Sequence, residues 1–250
     1  MPIGCTGLSI TNMRYQFAAI CLAPFLIAQA LYVRRVTPRL PEPDGSRSGT
    51  EGSGQSIRLL ILGDSAAAGV GVSTQEEALT GQLVAALSSD FQVSWKLMAQ
   101  TGHTAKEVLE KLGAVLPETF DVVVTSIGVN DVTHGTTTKK WIDRQHQIIN
   151  LLQSKFHAQY ILLSSLPPMH LFPALPQPLR WYLGMRAKKF GHALETVVTG
   201  CSRCELVTTD FPREDAYMAA DGFHPGALAY RVWAGQIAAN IRARLTKTHS

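Results

Sequence analysis

The chain has 250 residues, 46% of them hydrophobic and 17% charged, with a formal net charge of +4. That length accommodates one domain with a sizeable core and a short extension, and excludes a second large domain. Before residue 57, Arg14, Arg34, Arg35, Arg39 and Arg47 stand against Glu42, Asp44 and Glu51, and the remainder is too nearly neutral to argue for nucleic acid as a partner.

The extension opens with a mostly apolar stretch over residues 15–33, preceded by Arg14 and followed by Arg34 and Arg35. Residues 1–40 therefore read as a targeting or anchoring element outside the fold; the alternative, a buried helix of the domain, is disfavoured by the long polar linker that follows. The run 17–28 has signal-peptide length, with Ala28-Gln29-Ala30 as a small-residue cleavage site. The whole stretch is also long enough for one membrane-spanning helix. The arginines directly after it place the following domain on the cytoplasmic side if it stays uncleaved; cleavage near Ala30 would instead mean export. Residues 41–56 are rich in Pro, Gly and Ser and lack large apolar side chains, so they read as a flexible tether.

From residue 57 short apolar runs alternate with amphipathic stretches. Strands are expected at 57–62, 92–98, 121–127, 160–165 and 205–208, and helices at 75–88, 104–115, 137–156, 179–198 and 227–245. This β-α alternation predicts a parallel sheet covered by helices on both faces over residues 57–250. In such folds sites collect at the carboxyl ends of the strands, and Ser65, Gly102 and Asn130 each follow an expected strand within a few residues.

Four short signatures occur in order: Gly63-Asp64-Ser65 with Gly69, then Gly102, then Gly128-Val129-Asn130-Asp131, then Asp221-Gly222-Phe223-His224. Together these blocks resemble the SGNH (GDSL-type) hydrolases, a family of serine esterases and lipases. The resemblance implies a flavodoxin-like three-layer α/β/α sandwich with a central parallel sheet.

A serine hydroxyl attacks well only when a base takes its proton, and Ser65 lies between a strand and a loop of small residues that leaves its oxygen accessible. His224 is the expected base. Asp221, three residues earlier, can reach its Nδ1–H and leave Nε2 facing the serine. The resemblance further implies an oxyanion hole made by the Ser65 and Gly102 backbone N–H groups and the Asn130 side-chain amide; composition alone would equally permit a turn glycine and a capping asparagine. Asp64 reads as a structural hydrogen-bonding residue, and Asp131 as a cap for the following segment or a brace for its loop. His103 and His134 read as supporting or surface residues, and the other histidines as ordinary helix, loop or tail positions.

Cys201 and Cys204 lie between a helix and a strand. They read as a structural pair, reduced in the cytosol and bridged if exported, since a zinc site needs two further ligands and Cys5 and Cys21 belong to the extension. No metal-binding, phosphate-loop or dinucleotide signature is present, so no cofactor is expected.

Residues 167–183 are stiffened by proline and apolar, and they follow a strand toward the same rim. Met169, Leu171, Phe172 and Leu175 are expected to form an acyl pocket or lid, with packing onto the core as the alternative. The expected substrate is a small or lipid-like acyl ester. A carbohydrate O-acetylesterase, a thioesterase and a non-catalytic tethered binding protein stay open as alternatives on the same fold.

Overall fold

In the computed structural model, residues 6–208 and 215–247 are described. Cys5 and His249 fall outside them. The chain runs through α1 (Thr6–Val36), β1 (Ser48–Glu51), β2 (Gln55–Gly63), α2 (Ser65–Ala68), α3 (Leu79–Leu87), β3 (Phe91–Ala99), α4 (Ala105–Ala114) and β4 (Val122–Ser126). It continues through α5 (Val129–Thr133), α6 (Thr138–Ser154), β5 (Tyr160–Ser164), α7 (Leu179–Thr199), β6 (Cys204–Val207) and α8 (Ala227–Lys247).

The sheet order is β1-β3-β2-β4-β5-β6, with β1 antiparallel to β3 and every other pair parallel. Without the edge strand β1, this is the doubly wound flavodoxin-like order. The first parallel strand, β2, lies between β3 and β4, and the crevice at that switch point is where the signatures converge. Burial on both faces explains the unbroken apolar runs of the strands. Along β2, Leu60 and Leu62 face a core built with α4, α6 and α7, whereas Leu59 and Ile61 face a second core built with α3 and α8. Together these make three layers.

Two expectations for the extension require correction. Residues 41–56 are not a tether, because they are built into the domain. Ser48–Glu51 add an antiparallel strand to the open edge of β3, from Ser48 opposite Lys96 to Glu51 opposite Val93. All four residues are exposed, so this strand is held by backbone pairing and leaves no apolar signature in the sequence. Gly49 lies against the Trp95 indole, where a Cβ would come within 3.1 Å of the ring.

The apolar helix is not separate from the fold either. α1 packs against α7 and buries Leu26 in the core. Its residues Ala18–Val36, 19 residues of mean hydropathy 1.4, are long and apolar enough to cross a membrane.

Cys201 and Cys204 are disulfide-bonded and fasten the end of α7 to the start of β6.

Candidate active site

Three neighbouring strands end in register. Gly63 of β2 pairs with Ala99 of β3 on one side and Ser126 of β4 on the other. Ser65, Gly102 and Asn130 therefore lie two, three and four residues beyond one line across the sheet. Only glycine fits at position 63, because a Cβ there would meet the Ser126 carbonyl oxygen at 2.2 Å and Ala67 at 2.7 Å.

Beyond Gly63 the chain turns directly into α2. Asp64 is its N-cap, accepting from the Ala66 N–H at 3.1 Å. This is a local structural bond. Ser65 is consequently the first residue of the helix, where the backbone N–H has no intrahelical partner and points outward from the helix start.

His224 bridges the two other members of the series. Its Nε2 is 2.9 Å from Ser65 Oγ, and its Nδ1 is 2.6 Å from Asp221 Oδ2. The other Asp221 oxygen, Oδ1, accepts from the backbone N–H groups of Phe223 and His224 at 2.9 and 3.0 Å. One carboxylate thus folds its own loop and orients the imidazole. Burial raises the Asp221 pKa, but the His224 side chain and these backbone donors outweigh it, and the carboxyl is held below its ordinary value.

Asp64 contrasts with Asp221. Burial dominates there and exceeds the opposing effects of the Ala66 N–H and of His224, so its pKa is pushed up to about 7. Asp131 is also raised by burial, against the Ala105 N–H and Arg144.

The loop that carries Gly102 is held from several sides. The Gln100 N–H donates to the Gly63 carbonyl at 3.2 Å. The Asn130 side-chain amide donates to the His103 carbonyl at 2.9 Å, leaving its second N–H for another acceptor. Asp131 accepts from the Ala105 N–H at 2.8 Å and lies 3.5 Å from Arg144. Asp131 therefore braces the first turn of α4 and, through a side-chain hydrogen bond with Thr136, also the segment that follows it in sequence. Gly102 itself has φ +85 with nothing within 4 Å of a built Cβ, so the requirement there is conformational, not steric.

Glu42, in the segment expected to be a tether, completes the support. Its carboxylate accepts from the Thr101 N–H at 2.7 Å and hydroxyl at 2.8 Å, and from Arg47 at 2.9 Å. Arg47 also donates to the Ala99 carbonyl. Nothing in the sequence links Glu42 to a loop 59 residues away.

The expected acyl-pocket residues are dispersed. Met169 is fully buried in the core, and Leu171 is exposed. Phe172 packs edge-on against Phe223, with ring centroids 5.1 Å apart, and Phe223 in turn packs against His224 at 5.4 Å. Of the four, Leu175 lines a groove beside Gly102 and Asn130. The segment is drawn inward because its short 3-10 turn, Met169–Leu171, sits tightly on α7, where a Cβ at Gly184 would meet His170 at 2.5 Å. The Ala174 N–H donates to the Gly222 carbonyl at 3.2 Å, so the segment supports the Asp221–His224 loop.

Among the described residues no group of three or more His, Cys, Asp or Glu side chains is arranged to hold a metal ion.

A serine, a histidine and a carboxylate in hydrogen-bonded series at the carboxyl edge of a doubly wound sheet form the arrangement of an α/β serine hydrolase. Residues 61–232 match the model of the GDSL-like lipase/acylhydrolase family, well over half of the chain, and the chain belongs to this family and is a carboxylic ester hydrolase. It is 26% identical over 245 residues to a GDSL-like esterase of Mycobacterium tuberculosis, a match covering 89% of this chain and 77% of that protein. The fold is similar to that of the esterase EstA from Pseudoalteromonas sp., with a TM-score of 0.59 and 22% identity over 76% of this chain and 99% of the other. It is also similar to the acetylxylan esterase Axe2 from Geobacillus stearothermophilus, with a TM-score of 0.55 and 16% identity over 76% of this chain and 95% of the other.

Proposed function

We propose that the chain hydrolyses apolar acyl esters through an acyl-enzyme in which Ser65 is the nucleophile. The observation that carries this reading is the position of His224, within hydrogen-bond reach of Ser65 Oγ on one ring nitrogen and of Asp221 on the other. As Ser65 Oγ attacks the ester carbonyl, its proton passes to His224 Nε2, and Asp221 stabilises the imidazolium through Nδ1–H. The same proton then goes to the departing alkoxide oxygen. Water, deprotonated by His224, attacks the acyl-serine; as the acyl–Oγ bond breaks, His224 returns that proton to Ser65 Oγ and the acid is released. The Ser65 and Gly102 N–H groups and the free Asn130 amide N–H hold the oxyanion at both stages, each donor contributing on the order of 3 kcal/mol to the barrier reduction. The apolar groove beside these donors supports an acyl ester over a polar saccharide, and α1 supports residence at a membrane.

Turnover of a series of p-nitrophenyl esters by the parent and by Ser65→Ala tests the reading. Hydrolysis that disappears with Ser65 is the expected result. Retained turnover in the variant would assign the reaction to another nucleophile.

A further inference from the structure

We propose that the N-terminal helix is a working wall of the site: the groove between α1 and α7 binds the acyl chain of the ester substrate, which enters from a lipid bilayer. This inference rests on the ester hydrolase reading above. The groove has a volume of about 860 Å³, with Ala23, Leu26 and Ala30 on the α1 side and Leu179 and Leu183 on the α7 side. Gly102, Asn130 and Phe223 line the same groove, so its inner end meets the groups that surround the reacting carbonyl. The lining extends along α1 from Ala19 to Arg34, roughly 22 Å of helix at the usual rise per residue. An acetyl group needs only the innermost part of that length.

The docking of α1 is specific. Leu22, Leu26, Gln29 and Val33 recur at spacings of four, three and four, which puts them on one helical face. Leu26 is buried, and Leu22 and Val33 pack against the core on either side of it. Gln29 is polar in an otherwise apolar stretch, and its amide has a defined task. Its Nε2 donates to the Gln177 carbonyl at 2.7 Å, and its Oε1 accepts from the Leu179 N–H at 3.0 Å. That N–H belongs to the first turn of α7, where no intrahelical acceptor exists. Beside this pinned stripe, Ala23 and Ala30 are short enough to leave the groove open.

Between residues 20 and 36 the other large apolar side chains of the helix are bare. Ile20, Phe25, Ile27, Leu31, Tyr32 and Val36 are all more than half exposed. The span Ala18–Val36, apolar along most of its length with only one stripe docked, presents the surface that lipid covers. A groove with that helix as one wall lets an acyl chain pass from the bilayer to Ser65 without crossing water.

The test uses the full chain in phosphatidylcholine vesicles and compares kcat/KM for p-nitrophenyl decanoate and acetate. Ala23→Trp and Ala30→Trp fill the groove, and the decanoate-to-acetate ratio is expected to fall about tenfold or more, because only the longer chain loses its methylene contacts. A ratio within about twofold of the parent in both variants overturns the inference. Ser65→Ala in the same assay separates the two levels: retained turnover there refutes the catalytic reading, whereas a dead Ser65 variant beside unmoved Trp variants refutes the groove alone. If the Trp variants do not fold, the parent is labelled with an alkyl fluorophosphonate bearing a terminal diazirine. Ser65 Oγ displaces fluoride from phosphorus, and irradiation then crosslinks the chain end. Crosslinks on residues 19–34, alone or together with the facing α7 residues 179–186, support the inference, and crosslinks confined to segments outside the groove overturn it.

Discussion

Glu42 accepts hydrogen bonds from both the N–H and the hydroxyl of Thr101, at 2.7 and 2.8 Å, one residue before Gly102. A carboxylate from the chain's N-terminal extension thereby fixes the loop that carries Gly102, the proposed oxyanion donor. Glu42→Ala is expected to reduce kcat by about tenfold with a much smaller change in KM, because a displaced donor weakens transition-state binding more than ground-state binding. Burial raises the Glu42 pKa, but Thr101 and Arg47 outweigh it and hold the net value low. The support it gives is therefore present above the ordinary glutamate range and is lost as pH falls through the lowered value. Equal kcat in the variant and the parent would show that Asn130 and Asp131 alone fix the loop.

The Ser65, His224 and Asp221 series predicts a graded set of losses. Ser65→Ala and His224→Ala are each expected to lower kcat by about 10⁴-fold or more with the melting temperature little changed. Asp221→Asn is expected to retain measurable turnover, since the amide oxygen can still accept from the Phe223 and His224 N–H groups and keep the loop folded. Steady-state kinetics on acetate esters, with thermal midpoints as controls, decide it. A variant at Asp221 with parental kcat would mean that another group orients His224.

The parallel strands and the long helices that flank them were legible because burial on both faces writes unbroken Val, Ile and Leu runs, and one-sided packing writes a three- and four-residue period. Ser65, Gly102, Asn130 and His224 were legible as short motifs at strand ends. β1 was not, since an exposed edge strand such as Ser48–Glu51 needs backbone pairing alone and tolerates Ser, Gly, Thr and Glu. The docking of α1 was equally hidden. Apolar residues lie on all sides of the helix between residues 18 and 33, so no amphipathic stripe distinguishes the face of Leu26 from that of Phe25, and the meaning of Gln29 depends on a backbone 148 residues away. The segment 167–183 divides for a related reason: Leu175, Leu179 and Leu183 line the groove while Met169 and Phe172 pack into the core, and side chains in the two roles have the same apolar composition.

That distinction makes Phe172 a useful probe. Its ring is buried and packs edge-on against Phe223, which packs against His224. Phe172→Ala should cost about 3 kcal/mol of stability by leaving a cavity, with a correspondingly lower melting temperature. It should impair acetate and decanoate esters alike, because it loosens the base and not the acyl groove. A selective loss on decanoate with unchanged stability would return Phe172 to the acyl pocket.

Asp64 predicts an unusual dependence of stability on pH. Its folded-state pKa, raised mainly by burial to about 7, lies above the 3.8 of an ordinary aspartate. Between those values the folded chain holds a proton that the unfolded chain has released, so this group's contribution to stability falls as pH rises, by up to about 1.4 kcal/mol per pH unit. Asp64→Asn removes the titration while its amide oxygen can still cap the Ala66 N–H. The variant should gain stability relative to the parent as pH increases from 5 to 8, read as a growing difference in urea midpoint. Parallel midpoints across that range would show that Asp64 is ionised in the folded state throughout.

Two truncations separate the parts of the N-terminal extension. A chain beginning at residue 38 lacks α1 but keeps Glu42, Arg47 and β1. A chain beginning at residue 54 loses all of them. The shorter chain gives up the pairing of β1 with β3 and the Glu42 bonds to Thr101 and Arg47. Several net hydrogen bonds at about 0.5–1.5 kcal/mol each put the expected loss near 2 kcal/mol or more, roughly 4–8 °C in melting temperature. Its turnover of acetate esters should also fall below that of the longer chain, because Thr101 and Gly102 are no longer held. The chain from residue 38 should keep the acetate reaction and lose preference for long acyl esters, since the sheet edge and the Gly102 loop survive while one wall of the groove does not. Thermal melts and chain-length profiles of the two proteins measured together test both statements. Equal stability and equal acetate turnover in the two truncations would return residues 41–56 to the role of a passive tether.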